Sequence, residues 1–182
     1  MKTYISFLRG INVGGKRKIL MADLKLLYSK LGFTKVVTYI QSGNVIFETK
    51  KNMSIQEIEE IIKLAVYRKY KFDVPVLVRT VKSVENTMSL NPFLKDESIA
   101  IERLYLVFLA ENPSVEKLES ILNIDISKDR FEIIGNEVFV CYFDKMSNSK
   151  LTNNFFESKL KVRATTRNWK TVSKLIEISS EQ

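Results

Sequence analysis

Two glycines and a lysine with the spacing G-x-x-x-x-G-K, at residues 10–16, follow the first predicted strand. Glycines let backbone amides approach a phosphate group, and the lysine neutralises its charge. The next residue is Arg17, where nucleotide hydrolases carry a magnesium-binding serine or threonine, and the following strands predict an antiparallel hairpin. We therefore exclude a P-loop nucleotide hydrolase. An anion-binding loop and a set of tight turns that need glycine are both consistent with the pattern.

A second polar segment, residues 39–44, is richer in amides than a hairpin turn requires. Ser42 and Gly43 have good turn chemistry, and we interpret them first as turn residues. Gln41 and Asn44 add amide donors that could bind a ligand.

A third polar segment, residues 165–169, is predicted to open the last helix. A hydroxyl or Asn168 would cap that helix, and Arg167 beside the helix N-terminus is a residue type that holds an anion. Trp169 is predicted to be a core residue. Cys141 lies in a predicted strand, and we interpret it as a small buried hydrophobic residue.

The composition excludes several classes of active site, because the 182 residues include no histidine and one cysteine. Without imidazole there is no Ser-His-Asp triad and no Cys-His pair. One thiol leaves too few ligands of the usual kind for a closed zinc site, and it forms no internal disulfide. We therefore expect no metal and no cofactor, and any catalysis would depend on carboxylate, lysine, hydroxyl or backbone groups.

The basic excess, 29 Lys and Arg against 21 Asp and Glu, lies at the two ends of the chain. Residues 1–22 carry basic side chains and no acid. Residues 145–174 carry eight basic side chains against Glu157 alone. If the two stretches came together, their positive field would favour an anionic ligand. A solvated lysine surface is the alternative interpretation.

No apolar run approaches the roughly 20 residues that a membrane helix needs. The first predicted strand reaches Arg9 too early for the hydrophobic region of a signal peptide. We therefore expect a cytoplasmic protein that has no membrane partner.

The spacing of apolar residues predicts the element order βαββαβ twice. In the first half, Ser54 and Glu57 form a capping box at the start of the second helix. In the second half, Asn112 is predicted to cap a helix that has Pro113 at its first position. The last helix is predicted over residues 168–178, and residues 165–169 are interpreted as the segment that opens it. The strands are predicted at residues 3–9, 35–41, 45–49, 74–81, 103–110, 131–134, 137–143 and 162–165.

This order predicts an α+β fold of two ferredoxin-like halves packed together, each an antiparallel sheet with helices on one face. The expected boundaries are residues 1–82 for the first half and 101–182 for the second half with its extra C-terminal helix. Residues 83–100 connect them. No low-complexity linker separates the halves, so we expect one compact unit.

Residues 8–16, 39–45 and 165–172 together resemble the bacterial family called domain of unknown function 1697. The resemblance covers essentially the whole chain, and residues 91–93 and 149–151 also look like family positions. It implies a two-part α+β architecture with ferredoxin-like halves. It implies no reaction, since the family has no assigned activity. The chain departs from the family at residues 147–150, where members often have a glycine nearby.

Grouped as the resemblance suggests, the polar motifs form a candidate ligand site that is rich in donors and poor in acids. Such a lining suits a phosphate or a carboxylate, and it suits acid–base catalysis badly. The candidate ligand-binding residues are Arg9, Asn12, Gly14, Gly15, Lys16, Gln41, Ser42, Asn44, Lys150, Thr165, Thr166, Arg167 and Asn168.

The first functional hypothesis is an anion-binding protein whose partner is a phosphorylated small molecule or a nucleotide. The second is a nucleic-acid-binding module that contacts backbone phosphates. Residues 45–48 and 138–143 lack the basic-Gly-aromatic pattern of an RNA-recognition motif. The third is a transferase-type enzyme that uses Lys16 or Lys150. A purely structural protein is the fourth. No residue is assigned a catalytic role, and the sequence leaves the oligomeric state open.

Overall fold

The computed structural model describes residues 2–122 and 124–181. Within them, eight strands and six helices form an α+β protein with two four-stranded antiparallel sheets. The strands are β1 (Lys2–Leu8), β2 (Thr34–Tyr39), β3 (Asn44–Thr49), β4 (Val76–Thr80), β5 (Leu104–Leu109), β6 (Arg130–Ile134), β7 (Glu137–Cys141) and β8 (Ala164–Asn168). The helices are α1 (Met21–Lys30), α2 (Ile55–Tyr70), α3 (Val81–Ser89), α4 (Val115–Leu122), α5 (Asn153–Leu160) and α6 (Trp169–Ser180).

The first compact unit comprises residues 1–86 and 175–182. Its sheet has the strand order β2-β3-β1-β4, and in the register Ile5 of β1 lies between Ile46 and Arg79. Helices α1 and α2 contribute Tyr28 and Ile62 to a core that contains β3. Tyr4 and Leu8 of β1 pack into this core, whereas Ile5 and Phe7 point to the opposite face of the sheet and are also buried. Both faces of β1 are therefore buried.

Helix α2 begins with the capping box that the sequence predicts. The Glu57 N–H donates to Ser54 Oγ at 3.2 Å, and Glu57 Oε2 accepts from the Ser54 N–H at 2.7 Å. Because the side chains satisfy backbone donors that have no partner inside the helix, the helix starts at a defined residue. Hydrogen bonds from the Ser54 N–H and hydroxyl lower the pKa of Glu57 below its ordinary value.

The second compact unit comprises residues 87–174. Its sheet has the order β6-β7-β5-β8, and Leu106 of β5 lies between Phe139 and Arg167. Phe156 and Leu160 of α5 pack into a core with β7. The predicted element order is thus present in both units, and Trp169 and Cys141 are buried as expected.

Helices α3 and α4 differ from the sequence prediction. Helix α3 starts directly after β4, where the Ser83 N–H donates to Thr80 Oγ1 at 3.1 Å, so part of the expected connecting segment is helical. Helix α4 starts at Val115, and the prediction that Asn112 caps it was wrong. The Leu118 N–H donates to Ser114 O at 3.0 Å, which makes Ser114 the residue before the helix. Because the helix begins at Val115, Asn112 lies two positions before the capping position and its side chain does not serve the first N–H groups of the helix.

The interpretation of residues 165–167 as the segment that opens the last helix was also wrong, because these residues belong to β8, where Thr165 pairs with Phe108 and Arg167 with Leu106. The extended segment predicted at residues 162–165 is confirmed in part, since β8 begins at Ala164. This long-range pairing overrides the local preference of Thr and Asn for a helix start. Asn168 does cap α6, because its Oδ1 accepts from the Thr171 N–H at 2.8 Å.

We expect Gly43→Ala to destabilise the protein by about 2–4 kcal/mol. Gly43 has φ +82, and a Cβ there would lie 2.8 Å from both Leu8 Cβ and Ile11 Cδ1. Gly135→Ala is the control, because Gly135 has φ +62 but its nearest neighbour would be 3.9 Å away. Backbone strain alone predicts about 1–2 kcal/mol for the control. Equal losses in urea unfolding would contradict the steric explanation.

Glu57→Gln should make the protein less sensitive to acid. The folded-state pKa of Glu57 is lowered, so the ionised carboxylate stabilises the fold at neutral pH, and this contribution is lost as the pH falls through that pKa. Urea unfolding at about pH 7 and about pH 3 should show a smaller difference for Glu57→Gln than for the wild type. Glu60→Gln, on the exposed surface of the same helix, should behave as the wild type. An unchanged pH dependence in Glu57→Gln would contradict this account.

Candidate functional site

The glycine-rich loop, residues 10–18, follows β1 and contains a tight turn. The Lys16 N–H donates to Val13 O at 3.0 Å across this turn. Gly14 and Gly15 have φ of +57 and +73, as a type I′ turn requires at its two central positions. The turn therefore needs both glycines for its backbone, whether or not the loop binds a ligand.

Asn12 holds the two ends of this loop together. Its Oδ1 accepts from the Ile19 N–H at 2.8 Å, and its Nδ2 donates to Ile19 O at 2.9 Å. The same Nδ2 donates to Gln41 O at 2.9 Å, which joins the loop to the first hairpin. The amide of Asn12, a predicted ligand group, is thus engaged within the protein and positions its neighbours.

The accessible groups of the glycine-rich loop are cations and backbone amides. Lys16, Arg17 and Lys18 are exposed. A Cβ on Gly10 would lie 3.3 Å from Arg17 Nη1, so this guanidinium lies beside the Gly10 backbone. Within the described residues, the N–H groups of Gly14 and Gly15 donate no hydrogen bond. Arg9 is half-buried at the entrance to the loop, where its N–H donates to Pro75 O at 2.9 Å.

The first hairpin contributes its turn to the same region. Asn44 is buried, and its Nδ2 donates to Tyr39 O at 3.1 Å and to Ser42 Oγ at 3.0 Å. Asn44 therefore shapes the turn, whereas Gln41 is exposed and Ser42 is half-buried. The Gln41 carbonyl that accepts from Asn12 places this turn next to the base of the glycine-rich loop.

Most of the predicted site residues of the second unit make hydrogen bonds within the protein, whereas the Thr165 hydroxyl has no partner among the described residues. Thr165 is buried, and the Thr166 hydroxyl donates to Asn153 Oδ1 at 2.8 Å. Burial lowers the pKa of Arg167 to about 10, which still leaves it charged at neutral pH. Its Nη1 donates to Thr166 O at 2.9 Å. Lys150 is exposed, and its Nζ lies 3.4 Å from Asp125 O.

Arg79 is a buried cation that the sequence analysis missed. It occupies in β4 the position of Arg167 in β8, because the two pair with Ile5 and Leu106 at corresponding places in β1 and β5. Its Nη1 donates to Val78 O at 3.1 Å, as Arg167 does to Thr166 O. An arginine inside the apolar run Val-Leu-Val-Arg was the available sequence signal.

The described residues contain no cluster of three His, Cys, Asp or Glu side chains that could hold a metal ion. Among the helices within residues 2–122 and 124–181, none has both the length and the apolar character needed to cross a membrane.

Two antiparallel sheets with a cationic glycine-rich loop after the first strand define this α+β protein. A family described as protein of unknown function (DUF1697) matches residues 1–139, and the chain belongs to that family. It is similar in fold to a conserved bacterial protein, SP0830 from Streptococcus pneumoniae, with a TM-score of 0.75 and 24% identity over 97% of each chain. The comparison with curated proteins gives no match.

We expect Asn12→Gly to destabilise the protein by about 1–3 kcal/mol, because it removes the amide that makes three hydrogen bonds. Glycine adopts the φ of +56 at this position without strain. The loss in free energy of unfolding therefore measures the contribution of the Asn12 side chain. Gln41→Ala is the control, since Asn12 contacts only the Gln41 carbonyl, and its effect should stay within about 0.5 kcal/mol. Urea unfolding measures both. Similar values for the two variants would contradict the role assigned to Asn12.

Proposed function

We propose that the chain is a cytoplasmic anion-binding protein whose glycine-rich loop recognises the phosphate group of a small molecule or a nucleotide. The observation that carries the proposal is the turn at Gly14 and Gly15, whose N–H groups make no internal hydrogen bond. Exposed cations follow this turn directly. Backbone amides and cations are complementary to a phosphate, and glycines let it approach closely.

The electrostatics of the loop support this proposal. No acidic residue occurs before Asp23, and that carboxylate lies 3.8 Å from Lys69 Nζ. The cations of the loop therefore have no acidic neighbour along the chain. Hydrogen bonds to a charged group contribute about 1.5–3 kcal/mol each, so each turn amide and each cation that contacts the anion would strengthen its binding.

The proposed site consists of the glycine-rich loop with Gln41 and Ser42. The Thr-Thr-Arg-Asn segment is left out because it belongs to a strand in which Thr165 and Arg167 are buried. Lys16 and Lys150 are both exposed, whereas a lysine that acts as a nucleophile is usually desolvated in an apolar pocket. We therefore favour binding over lysine-dependent catalysis.

Nucleic-acid binding is a second candidate, and Phe143 is the observation that favours it. Its ring is 53% exposed just after β7, with Lys128 Nζ at 4.6 Å and Arg103 Cζ at 5.6 Å from the ring centroid. Exposed aromatic and basic groups together bind single strands. Phe139 and Tyr142 are buried, so stacking of bases on the sheet itself has no support.

We expect Lys16→Met combined with Arg17→Met to weaken binding of inorganic pyrophosphate at least tenfold, because two cations of the site are lost. Isothermal titration calorimetry of the full chain measures the effect. Lys25→Met and Lys30→Met together remove the same charge from the exposed surface of α1 and should bind as the wild type. Unchanged binding in the loop variant would reject the proposed site. Tighter, strongly salt-dependent binding of a short single-stranded RNA that Phe143→Ala abolishes would favour the second candidate.

A further inference from the structure

A cavity of about 500 Å³ lies at the end of β1 opposite to the glycine-rich loop. It belongs to the first unit, where β1 begins and β3 ends. The side chains that matter for its chemistry are Lys2, Tyr4, Lys50, Lys51, Asn52 and Met53. The proposal for the glycine-rich loop uses none of these residues, so the cavity is a separate feature of the molecule.

Tyr4 is the buried wall of this cavity. It is 5% exposed, and its ring stacks on Phe47 with 5.7 Å between the ring centroids. In the described part of the chain its hydroxyl makes no hydrogen bond. The hydroxyl is not sealed from solvent. Because Tyr4 lines the cavity, its hydroxyl is free to form a hydrogen bond with a molecule that enters the cavity.

Apart from the Asn52 amide, which both donates and accepts, the other polar side chains around the cavity are donors. Lys2, Lys50 and Lys51 are exposed at its rim. Lys51 Nζ donates to Leu31 O at 3.0 Å, which holds the ammonium in place and leaves it further protons to donate. Thr49 Oγ1 accepts from the Lys51 N–H at 3.1 Å, so its own hydroxyl proton is free to be donated. The lining contains no aspartate or glutamate.

We propose that this cavity binds a small organic phosphate, with the phosphate on the lysines and the Tyr4 hydroxyl. The positive charges of the three lysines balance the charge of a phosphate dianion, because ammonium groups bind phosphate as point charges. The volume exceeds what a bare anion fills, and Met53 with the Tyr4 ring gives an apolar surface for the organic part. The capping box already uses the Ser54 and Glu57 backbone N–H groups at the start of α2. The proposed site therefore binds the phosphate through side chains.

Titration of the full chain with ribose 5-phosphate, followed by calorimetry at about 0.15 M salt, tests this proposal. Tyr4→Phe keeps the ring and removes one hydrogen bond to a charged group, and we expect roughly tenfold weaker binding. Lys50→Met should weaken binding similarly. The matched controls are Tyr67→Phe, which alters a 52% exposed tyrosine on α2, and Lys25→Met on α1. Both controls should bind as the wild type.

Three results would overturn the proposal. They are the absence of ribose 5-phosphate binding, wild-type affinity in Tyr4→Phe and Lys50→Met, and binding of inorganic phosphate or citrate as tight as that of ribose 5-phosphate. The Lys16→Met and Arg17→Met double variant separates this site from the glycine-rich loop. It should retain ribose 5-phosphate binding at the Tyr4 cavity, and a complete loss would assign that binding to the loop.

Discussion

The close approach of β1 to the first hairpin is the constraint on which the candidate site depends. The Leu8 N–H donates to Gly43 O at 2.8 Å, and the space that a Cβ on Gly43 would need is occupied by Leu8 and Ile11. The end of β1 and the hairpin turn are therefore in contact through their backbones. The glycine-rich loop starts from this fixed point, and Asn12 ties its return to the same hairpin through Gln41 O. The two ends of the loop that carries the cations are thus held in place by hydrogen bonds.

The features that sequence alone predicts are those with local causes. The capping box at Ser54, the hairpin at Gly135 and the βαββαβ order all depend on residues within a few positions of each other. The tight turn at Gly14 also depends on neighbouring residues in the sequence. These signals were enough for an α+β fold with two antiparallel sheets, because periodicity defines which face of each element is buried.

The features that sequence alone misses have long-range causes. Residues 165–167 have the composition of a helix start, yet pairing with β5 makes them a strand. Asn12 has the chemistry of a ligand donor, but its amide is used to close a loop eight residues long. Tyr4 gave no sequence signal, because an aromatic residue in an apolar strand is normally a core residue. Only the structure places Tyr4 in the lining of a cavity that also contains lysines.

The central claim is that the turn amides of the glycine-rich loop bind an anion. The most direct measurement is a titration of the ¹⁵N-labelled chain with pyrophosphate, followed through each backbone amide by NMR. The account predicts saturable shifts at Gly14 and Gly15, larger than those at exposed sites such as Lys25. Absence of shifts at the two glycines, while other amides respond to pyrophosphate, would contradict it.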